Sequence, residues 1–164
     1  MTTTVSLAYS LPATPDDVFD LLKDRDFVVQ RLSVLEVTSS DLEEHDVTDD
    51  SLKLSMVMTM PRSTLPKAVR GFVRGEPGFR RTEVWRRADD GYRAEVVVDL
   101  FGTPSDVSGE MLLRPAEGGS RFTFDSRIQV QIPVFGGQVE GILQEQITDL
   151  ADREAAFTRE HLSR

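Results

Sequence analysis

The residues with the clearest chemical potential lie on one predicted strand. Arg81, Glu83 and Trp85 are spaced two apart, so on an extended strand their side chains share a face. A buried carboxylate needs a partner or takes up a proton, and Arg81 is the natural partner for Glu83. Two arrangements stay open. Either these three side chains face a pocket and orient a ligand there, or Thr82 and Val84 face inward. We favour the second, with Glu83 and Trp85 outside.

Acid–base catalysis is the one catalytic option that the sequence leaves open. Such chemistry leaves no local sequence motif, so the absence of a motif does not exclude it. Its candidate groups are Glu83, Arg81 and Tyr92. The chain has no cysteine, which excludes a thiol nucleophile, a disulfide framework and a Cys-based zinc site. It also has no G-x-S-x-G, P-loop or G-x-G-x-x-G segment. We therefore expect no hydrolase triad and no cofactor.

The two histidines, His45 and His161, do not indicate a metal centre. Neither has a second histidine at ligand spacing, and no H-E-x-x-H segment is present. We expect both side chains to be solvent-exposed and expect no bound metal.

The charge is strongly negative and unevenly distributed. The net charge is −9, which argues against nucleic acid or an anionic membrane as the main partner. Residues 16–50 are rich in Asp and Glu, whereas residues 62–93 are rich in Arg and Lys. The simplest interpretation is two differently charged surfaces. The alternative is a local site for an anionic group.

Residues 61–77 have three prolines and no sustained periodicity. An irregular segment of this length in a compact domain is often a lid or a binding loop, so we predict a mobile rim at the entrance to a pocket. The alternative is a passive plug at one end of the core. Arg70, Arg74, Arg80 and Arg81 surround this segment and could meet a phosphate or carboxylate, although we favour a solvated surface.

Hydrophobic periodicity predicts most of the secondary structure. Two short helices follow the first strand, with Thr14 and Asp24 as N-caps. A long helix over 136–161 opens at Gly136 and Gly137, where glycine allows close packing or, less favoured, leaves N–H groups free for an anion. Alternation of apolar and polar residues predicts strands over 3–11, 33–44, 51–60, 79–87, 92–100, 107–114 and 121–132.

These elements define an α+β architecture within a single domain, residues 1–164. Hairpin turns between the strands make the sheet antiparallel. Each strand has one apolar and one polar face, so one side of the sheet is covered and the other faces water. The final helix alone is long enough to cover it, so we predict a curved antiparallel sheet of about seven strands wrapped around a long C-terminal helix.

The order of elements resembles the START/birch-pollen-allergen superfamily (SRPBCC), which has the helix-grip fold. The residues that carry the resemblance are LPATPDDVFDLL at 11–22, Trp85 in a middle strand, and IPVFGGQVE at 132–140. Within the superfamily, which includes polyketide cyclases and lipid-transfer domains, the chain most resembles an uncharacterised actinobacterial branch. The 61–77 segment departs from the pattern, since many relatives have a tight hairpin there.

The resemblance implies a cavity between the sheet and the long helix that holds an apolar ligand. We predict that apolar side chains line it as one continuous space. Met56 and Met58 suit an adaptable wall, although ordinary core packing is an equal alternative. The full predicted lining is Leu54, Met56, Met58, Trp85, Val96, Val98, Met111, Phe122, Phe124, Ile128, Val139, Leu143, Ile147 and Leu150.

Three functions are compatible with this architecture. The first is binding or transport of a small hydrophobic or lipid-like molecule. The second is a cyclase- or dehydratase-type enzyme acting on a hydrophobic, polyketide-like substrate. The third is a co-chaperone-like module that uses the outer face of the sheet. An entirely apolar cavity favours binding, a carboxylate that meets Tyr or Arg in the cavity favours catalysis, and a large exposed apolar patch favours the third.

The remaining expectations concern location and assembly. No signal peptide or membrane-spanning segment is apparent, and the absence of cysteine leans toward the cytoplasm. We expect a monomer or a weak homodimer, no nucleic acid partner and no membrane insertion.

Overall fold

Seven strands form one antiparallel sheet that curves around a long helix. The computed structural model describes residues 2–164. The strands are β1 Thr3–Leu11, β2 Ser39–Val47, β3 Ser51–Thr59, β4 Gly78–Ala88, β5 Gly91–Leu100, β6 Ser105–Ala116 and β7 Gly119–Val130. The helices are α1 Pro15–Lys23, α2 Arg25–Ser33, α3 Lys67–Arg70 and α4 Gly136–Leu162. The sheet order is β1-β7-β6-β5-β4-β3-β2, which confirms the predicted α+β architecture.

The strand prediction is wrong in one place, the strand placed at 33–44. Helix α2 continues to Ser33, and β2 begins only at Ser39. Between them Leu35 is buried in the core and its N–H bonds to the carbonyl oxygen of Leu32. These residues therefore form a turn that leaves the helix, and their apolar side chains mimic a strand pattern.

The two short helices begin at the predicted caps. The side chain of Thr14 accepts a hydrogen bond from the N–H of Asp17, with Pro15 at the first helical position. The side chain of Asp24 caps α2 by accepting from the N–H groups of Asp26 and Phe27. Asp24 both ends α1 and caps α2, so the chain forms two short helices instead of one continuous helix.

Polar contacts join the long helix to the strands at one end of the sheet. Glu140 is buried on α4, where it accepts hydrogen bonds from Thr3 Oγ1 (2.8 Å) and from the N–H of Val130 (3.0 Å). A Cβ on Gly136 would lie 2.5 Å from the carbonyl oxygen of Val130. The N–H of Gly136 bonds to the carbonyl oxygen of Ile132, so close packing accounts for this glycine and that N–H is not free for an anion.

The core has two parts. One contains Phe19, Phe27, Met56, Trp85 and other residues from α1, α2 and the middle of the sheet. The second lies at the start of α4 and includes Leu65, Val69, Ile128 and Val139. Within residues 2–164, no helix is long and apolar enough to cross a membrane.

Candidate functional site

A cavity of about 80 Å³ lies between the concave face of the sheet and α4. Its walls come from five strands and from α1, α2 and α4. The lining comprises Tyr9, Leu11, Val18, Leu22, Arg31, Phe79, Arg81, Glu83, Trp85, Val98, Leu100, Val107, Met111, Phe122, Phe124, Leu143, Gln146, Ile147, Leu150, Ala151, Glu154, Ala155 and Thr158. Drug-sized ligands occupy roughly 300–1,000 Å³, so a ligand of that size requires the walls to move apart.

The predicted lining residues divide into two groups. Those that line this cavity are Trp85, Val98, Met111, Phe122, Phe124, Leu143, Ile147 and Leu150. Those that do not are Leu54, Met56, Met58, Val96, Ile128 and Val139. Met56 and Met58 are completely buried in the same cluster as Phe27 of α2, so they belong to the packed core and not to the wall of this cavity.

The outward arrangement favoured for Glu83 and Trp85 is wrong. Arg81, Glu83 and Trp85 all face inward and line the cavity, with exposed fractions of 6%, 2% and 1%. Thr82 and Val84 are half-buried on the other face. Burial of the Glu83 carboxylate is tolerated because one oxygen pairs with Arg81 and the other accepts a hydrogen bond from Trp85.

The pairing extends from β4 to α4. The Nη2 of Arg81 donates to both carboxylate oxygens of Glu154, at 2.8 and 3.0 Å. The Nε of Arg81 lies 3.0 Å from Oε2 of Glu83. The indole N–H of Trp85 donates to the other oxygen of Glu83, at 2.8 Å. One guanidinium thus joins two carboxylates.

Arg31 of α2 brings a second cation to this group. Its Nε lies 3.8 Å from Oε2 of Glu154, and its guanidinium carbon is 6.0 Å from the ring centroid of Phe27. We call Arg31, Arg81, Glu83 and Glu154 the buried charge cluster. Its two positive and two negative charges sum to zero.

The neighbouring charges determine the ionisation of the cluster. Burial raises the pKa of Glu154, but Arg81 and then Arg31 more than compensate, so this pKa lies below its ordinary value. Burial lowers the pKa of Arg81, and the carboxylates of Glu154 and Glu83 reverse that effect and raise it. Glu154 is therefore an ionised group and a poor proton donor at neutral pH.

The two tyrosines occupy different environments. Tyr9 is one of the residues that line the cavity, and its hydroxyl donates to the exposed Asp152 at 2.6 Å. Burial, and then this bond, raises the pKa of Tyr9. Tyr92, a predicted candidate for a pocket acid or base, is not among the residues that line the cavity. Its hydroxyl donates to Asp16 at 2.6 Å, because its ring stacks on Phe19 of α1, and burial followed by that bond raises its pKa to about 12.

The four arginines considered as an alternative anion site do not converge. Arg81 belongs to the buried charge cluster. Arg80 points to the opposite face of the sheet and pairs with Glu43 at 2.8 Å. The Nε of Arg70 donates to the carbonyl oxygen of Leu65, within the irregular segment. Only Arg74 remains exposed at the segment itself, so no shared anion site forms.

The 61–77 segment borders a second, partly open cavity of about 60 Å³. Leu65 and Val73 line it from the segment, and Val139 lines it from α4. The second cavity shares Phe79, Leu100, Leu143 and Gln146 with the first. These four side chains therefore form a partition between two adjacent spaces.

One arginine and one glycine fix the segment in place. The guanidinium of Arg62 donates to the carbonyl oxygens of Arg70 (2.8 Å), Val73 (3.4 Å) and Gly75 (2.5 Å). Gly102, at φ 69°, lies so close to the carbonyl oxygen of Arg74 that a Cβ would overlap it. The segment is thus organised internally and is attached to the loop after β5.

The prediction that both histidines are solvent-exposed is wrong. Both are half-buried. The Nε2 of His45 lies 3.0 Å from the carbonyl oxygen of Leu22, and the ring of His161 packs edge-on against Phe27. Neither contact involves a second ligand group, and residues 2–164 hold no cluster of three His, Asp or Glu side chains suited to a metal ion.

The outer face of the sheet does not carry the patch that a co-chaperone-like role requires. Val97 on β5 and Val47 on β2 are exposed, but β4 and β3 lie between their strands. Isolated apolar residues of this kind are normal on protein surfaces.

Sequence reasoning missed Arg31, Tyr9 and Glu154 as cavity residues. Glu154 was detectable in principle, because it continues the apolar stripe of α4 through Ile147 and Leu150 at helical spacing. A charged residue on such a stripe needs a buried partner. Arg31 carried no comparable signal, since α2 has charged residues on several sides.

The family comparison finds one match over almost the whole chain. A family model described as "Protein of unknown function (DUF2505)" matches residues 6–162. Uncharacterized proteins of Mycobacterium tuberculosis and Mycobacterium bovis are 30% identical over 151 residues, which cover 87% of this chain and 87% of each relative.

Solved structures show the same fold at low sequence identity. The Zhui aromatase/cyclase from Streptomyces sp. R1128 has a TM-score of 0.64 at 8% identity, covering 100% of this chain and 95% of that one. A START superfamily protein from Mycobacterium smegmatis has a TM-score of 0.57 at 11% identity, covering 98% of both chains. A protein from Thermus thermophilus has a TM-score of 0.61 at 18% identity, covering 95% of this chain and 97% of that one. The START-like fold predicted from the sequence is confirmed.

Proposed function

The chain belongs to the DUF2505 family, and we propose that it binds a small hydrophobic or lipid-like molecule in the cavity between the sheet and α4. The observation that carries the proposal is the cavity itself, which is apolar along most of its wall and also contains the buried charge cluster. This combination is typical of ligand sites, where apolar walls supply affinity and a few polar groups fix orientation. Reversible binding of this kind also suits transport.

The apolar wall supports the proposal energetically. Phe122 and Phe124 from β7 meet Leu143 and Ile147 from α4 across the cavity. Each Å² of apolar surface removed from water stabilises a complex by about 25 cal/mol. A ligand of even moderate size gains several kcal/mol in this way before its polar group makes any contact.

The fold comparisons agree with this proposal without naming a ligand. The solved structures with this fold include a START superfamily protein and an aromatase/cyclase. Their identity to this chain is too low to carry over a substrate. They support the general class, a fold that holds hydrophobic molecules.

Two alanines of α4 provide a matched test. Ala151 lines the cavity, whereas Ala156 is exposed on the same helix. Trp85 is the only tryptophan and lines the cavity, so its indole N–H resonance reports occupancy. Ethylbenzene should shift that resonance in the wild type and in Ala156→Leu, and should lose most of its effect in Ala151→Leu. Equal shifts in both variants, or none in the wild type, would refute binding in this cavity.

A second function, a cyclase- or dehydratase-type enzyme, is favoured by one observation. Arg81, Glu83 and Glu154 line the cavity, which is therefore not entirely apolar. We rank this function second because both carboxylates already accept hydrogen bonds or ion pairs from Arg81 and Trp85. The lowered pKa of Glu154 also opposes a role as an acid.

The enzyme alternative has its own test. A β-hydroxy ketone probe, 4-hydroxy-4-methylpentan-2-one, loses water to give an enone that absorbs in the ultraviolet. The binding proposal expects no rate above that of the buffer. A rate that Glu83→Gln abolishes, while ethylbenzene still binds, would favour the enzyme.

A further inference from the structure

We propose that Arg31 is the ligand anchor of the cavity and that it selects an apolar molecule carrying a neutral carbonyl or hydroxyl oxygen. The inference rests on the proposed function and specifies the chemical class of the ligand. Arg31 is buried, lines the cavity and belongs to α2, away from the strand and helix that carry the other three charges. Its guanidinium also has buried hydrogen-bond donors without a partner among the described residues.

The guanidinium of Arg31 has donors that the described chain does not satisfy. Its Nε and Nη2 are both buried, and neither has a hydrogen-bond partner within residues 2–164. The Nε lies 3.8 Å from Oε2 of Glu154, which is beyond hydrogen-bond distance. Buried donors in proteins are nearly always bonded. An acceptor oxygen on a ligand in the cavity would satisfy these donors of Arg31.

The other members of the buried charge cluster are already occupied. Glu154 accepts two bonds from Arg81, and Glu83 accepts from Trp85 while lying 3.0 Å from Arg81. The Nε of Arg81 also lacks a hydrogen bond among the described residues, but it lies 3.0 Å from Oε2 of Glu83, and its Nη2 bonds to Glu154. Arg31 instead has two buried nitrogens without a hydrogen bond, and its Nε is 3.8 Å from the carboxylate of Glu154. Arg31 is therefore the group toward which a ligand oxygen would point.

The charge balance indicates a neutral oxygen rather than a carboxylate. The two arginines and two glutamates sum to zero, so an anionic ligand would leave a net negative charge in a buried site. It would also lie close to Glu154, the nearest carboxylate to Arg31. Burying an uncompensated charge is costly, whereas a neutral oxygen can accept from Arg31 without disturbing the balance.

The apolar lining defines the rest of the ligand. On the helix side, Val18 and Leu22 of α1 and Leu150 of α4 line the same cavity as Arg31. On the sheet side, Phe122 and Phe124 face them. A ligand with one oxygen at its end and an apolar body would use both parts of the site.

Three probes of similar size separate the alternatives. Acetophenone has a neutral carbonyl oxygen, benzoate has a carboxylate, and ethylbenzene has no polar group. Binding is followed by titration of the Trp85 indole N–H resonance in the wild type. Acetophenone should bind at least about tenfold more tightly than either of the other two, since one good hydrogen bond to a charged donor has that effect.

Two variants then assign the preference to Arg31. Arg31→Met keeps an unbranched side chain as far as the position of Nε and removes the donors. The matched control is Arg153→Met, at an arginine of α4 that pairs with Asp149 outside the cavity. Arg31→Met should bring acetophenone to the affinity of ethylbenzene and leave ethylbenzene within about twofold of the wild type, and Arg153→Met should change neither.

The outcomes are distinguishable. Binding of ethylbenzene with no preference for acetophenone would overturn the Arg31 proposal and leave the proposed function intact, because water would then serve the guanidinium equally well. Tighter binding of benzoate would overturn the choice of a neutral oxygen. Failure of all three probes would overturn the proposed function as well. If Arg31→Met does not fold, the wild-type ranking of the probes still decides.

Discussion

The two ends of the space between the sheet and α4 are constructed differently. At one end the buried charge cluster joins α2, β4 and α4 through charged groups at defined distances. At the other end the 61–77 segment borders the second cavity with Leu65, Val73 and Pro77. The partition that includes Phe79 and Leu143 separates them.

This difference suggests a division of roles. Charged hydrogen bonds are directional, so the cluster holds three elements in one geometry. Within it, Arg31 keeps two buried nitrogens that have no hydrogen-bond partner among the described residues. Apolar packing is not directional, so the side chains near the second cavity can repack around a larger ligand. Orientation would be set at the charged end, and expansion of the space would occur at the apolar end.

The largest expected effect comes from breaking the charged end. Glu154→Gln leaves Arg81 and Arg31 with one buried carboxylate between them. We expect a loss of about 3 kcal/mol in the free energy of unfolding, measured by denaturant titration. The matched control is Glu160→Gln on the exposed side of α4, which should cost less than about 0.5 kcal/mol. Equal losses in the two variants would mean that the buried charge cluster contributes no more to the free energy of unfolding than a surface ion pair does.

The apolar end should be less sensitive to a single truncation. Leu65→Ala removes buried methyl groups beside the second cavity and should cost about 2 kcal/mol, the lower end of such changes, because the segment can partly collapse. Ser63→Ala, at an exposed position of the same segment, should be nearly neutral. A loss larger than that of Glu154→Gln would reverse the comparison.

Hydrogen exchange tests whether the 61–77 segment acts as a lid. Most of its backbone hydrogen bonds are local, such as that from the N–H of Val69 to the carbonyl oxygen of Pro66, although the N–H of Arg74 bonds to the carbonyl oxygen of Gly102. We expect its amides to exchange faster than those of β4 and to slow about tenfold when acetophenone is added, which corresponds to about 1.4 kcal/mol. Slow exchange that the probe does not change would favour a passive plug.

The smallest expected effect is a change in pH dependence at the charged end. The pKa of Glu154 is below its ordinary value of 4.5 in the folded chain. The stability that it contributes is therefore complete above the unfolded-state pKa and is lost as the pH falls through the folded-state pKa. The difference in unfolding free energy between the wild type and Glu154→Gln should be constant from about pH 7 to pH 5 and should narrow in more acidic solution.

A Glu160→Gln protein provides the control for this measurement. Its difference from the wild type should remain small at every pH, because Glu160 is exposed. A wild-type advantage over Glu154→Gln that stays constant into strong acid would mean that Glu154 is not held ionised by its neighbours.

The sequence predicts the fold well because its strands alternate. The predicted strands at 79–87 and 121–132 agree closely with β4 and β7, and the predicted helix at 136–161 agrees with α4 to within one residue. Local periodicity suffices for such elements, since burial on one face determines each of them.

The orientation of β4 was beyond the reach of local pattern. This strand has charged residues on both faces, including Arg80 on one and Arg81 and Glu83 on the other. Which face of β4 points inward depends on Glu154, which lies 73 positions away from Arg81 along the chain. Glu154 pairs with Arg81 and so makes burial of that arginine possible. Pairing of that kind is a property of the assembled fold and cannot be inferred from spacing within one strand.

The pairing of β1 with β7 has a consequence for synthesis. Thr3 faces Ile128 and Leu11 faces Ser120 across the two strands, and Tyr9 bonds to Asp152 across 143 positions. At roughly 5–20 residues per second, β1 leaves the ribosome on the order of ten seconds before its partners are made. Contacts this distant along the chain also slow folding in free solution. The nascent protein therefore has to keep an unpaired, half-apolar strand from aggregating until the chain is almost complete.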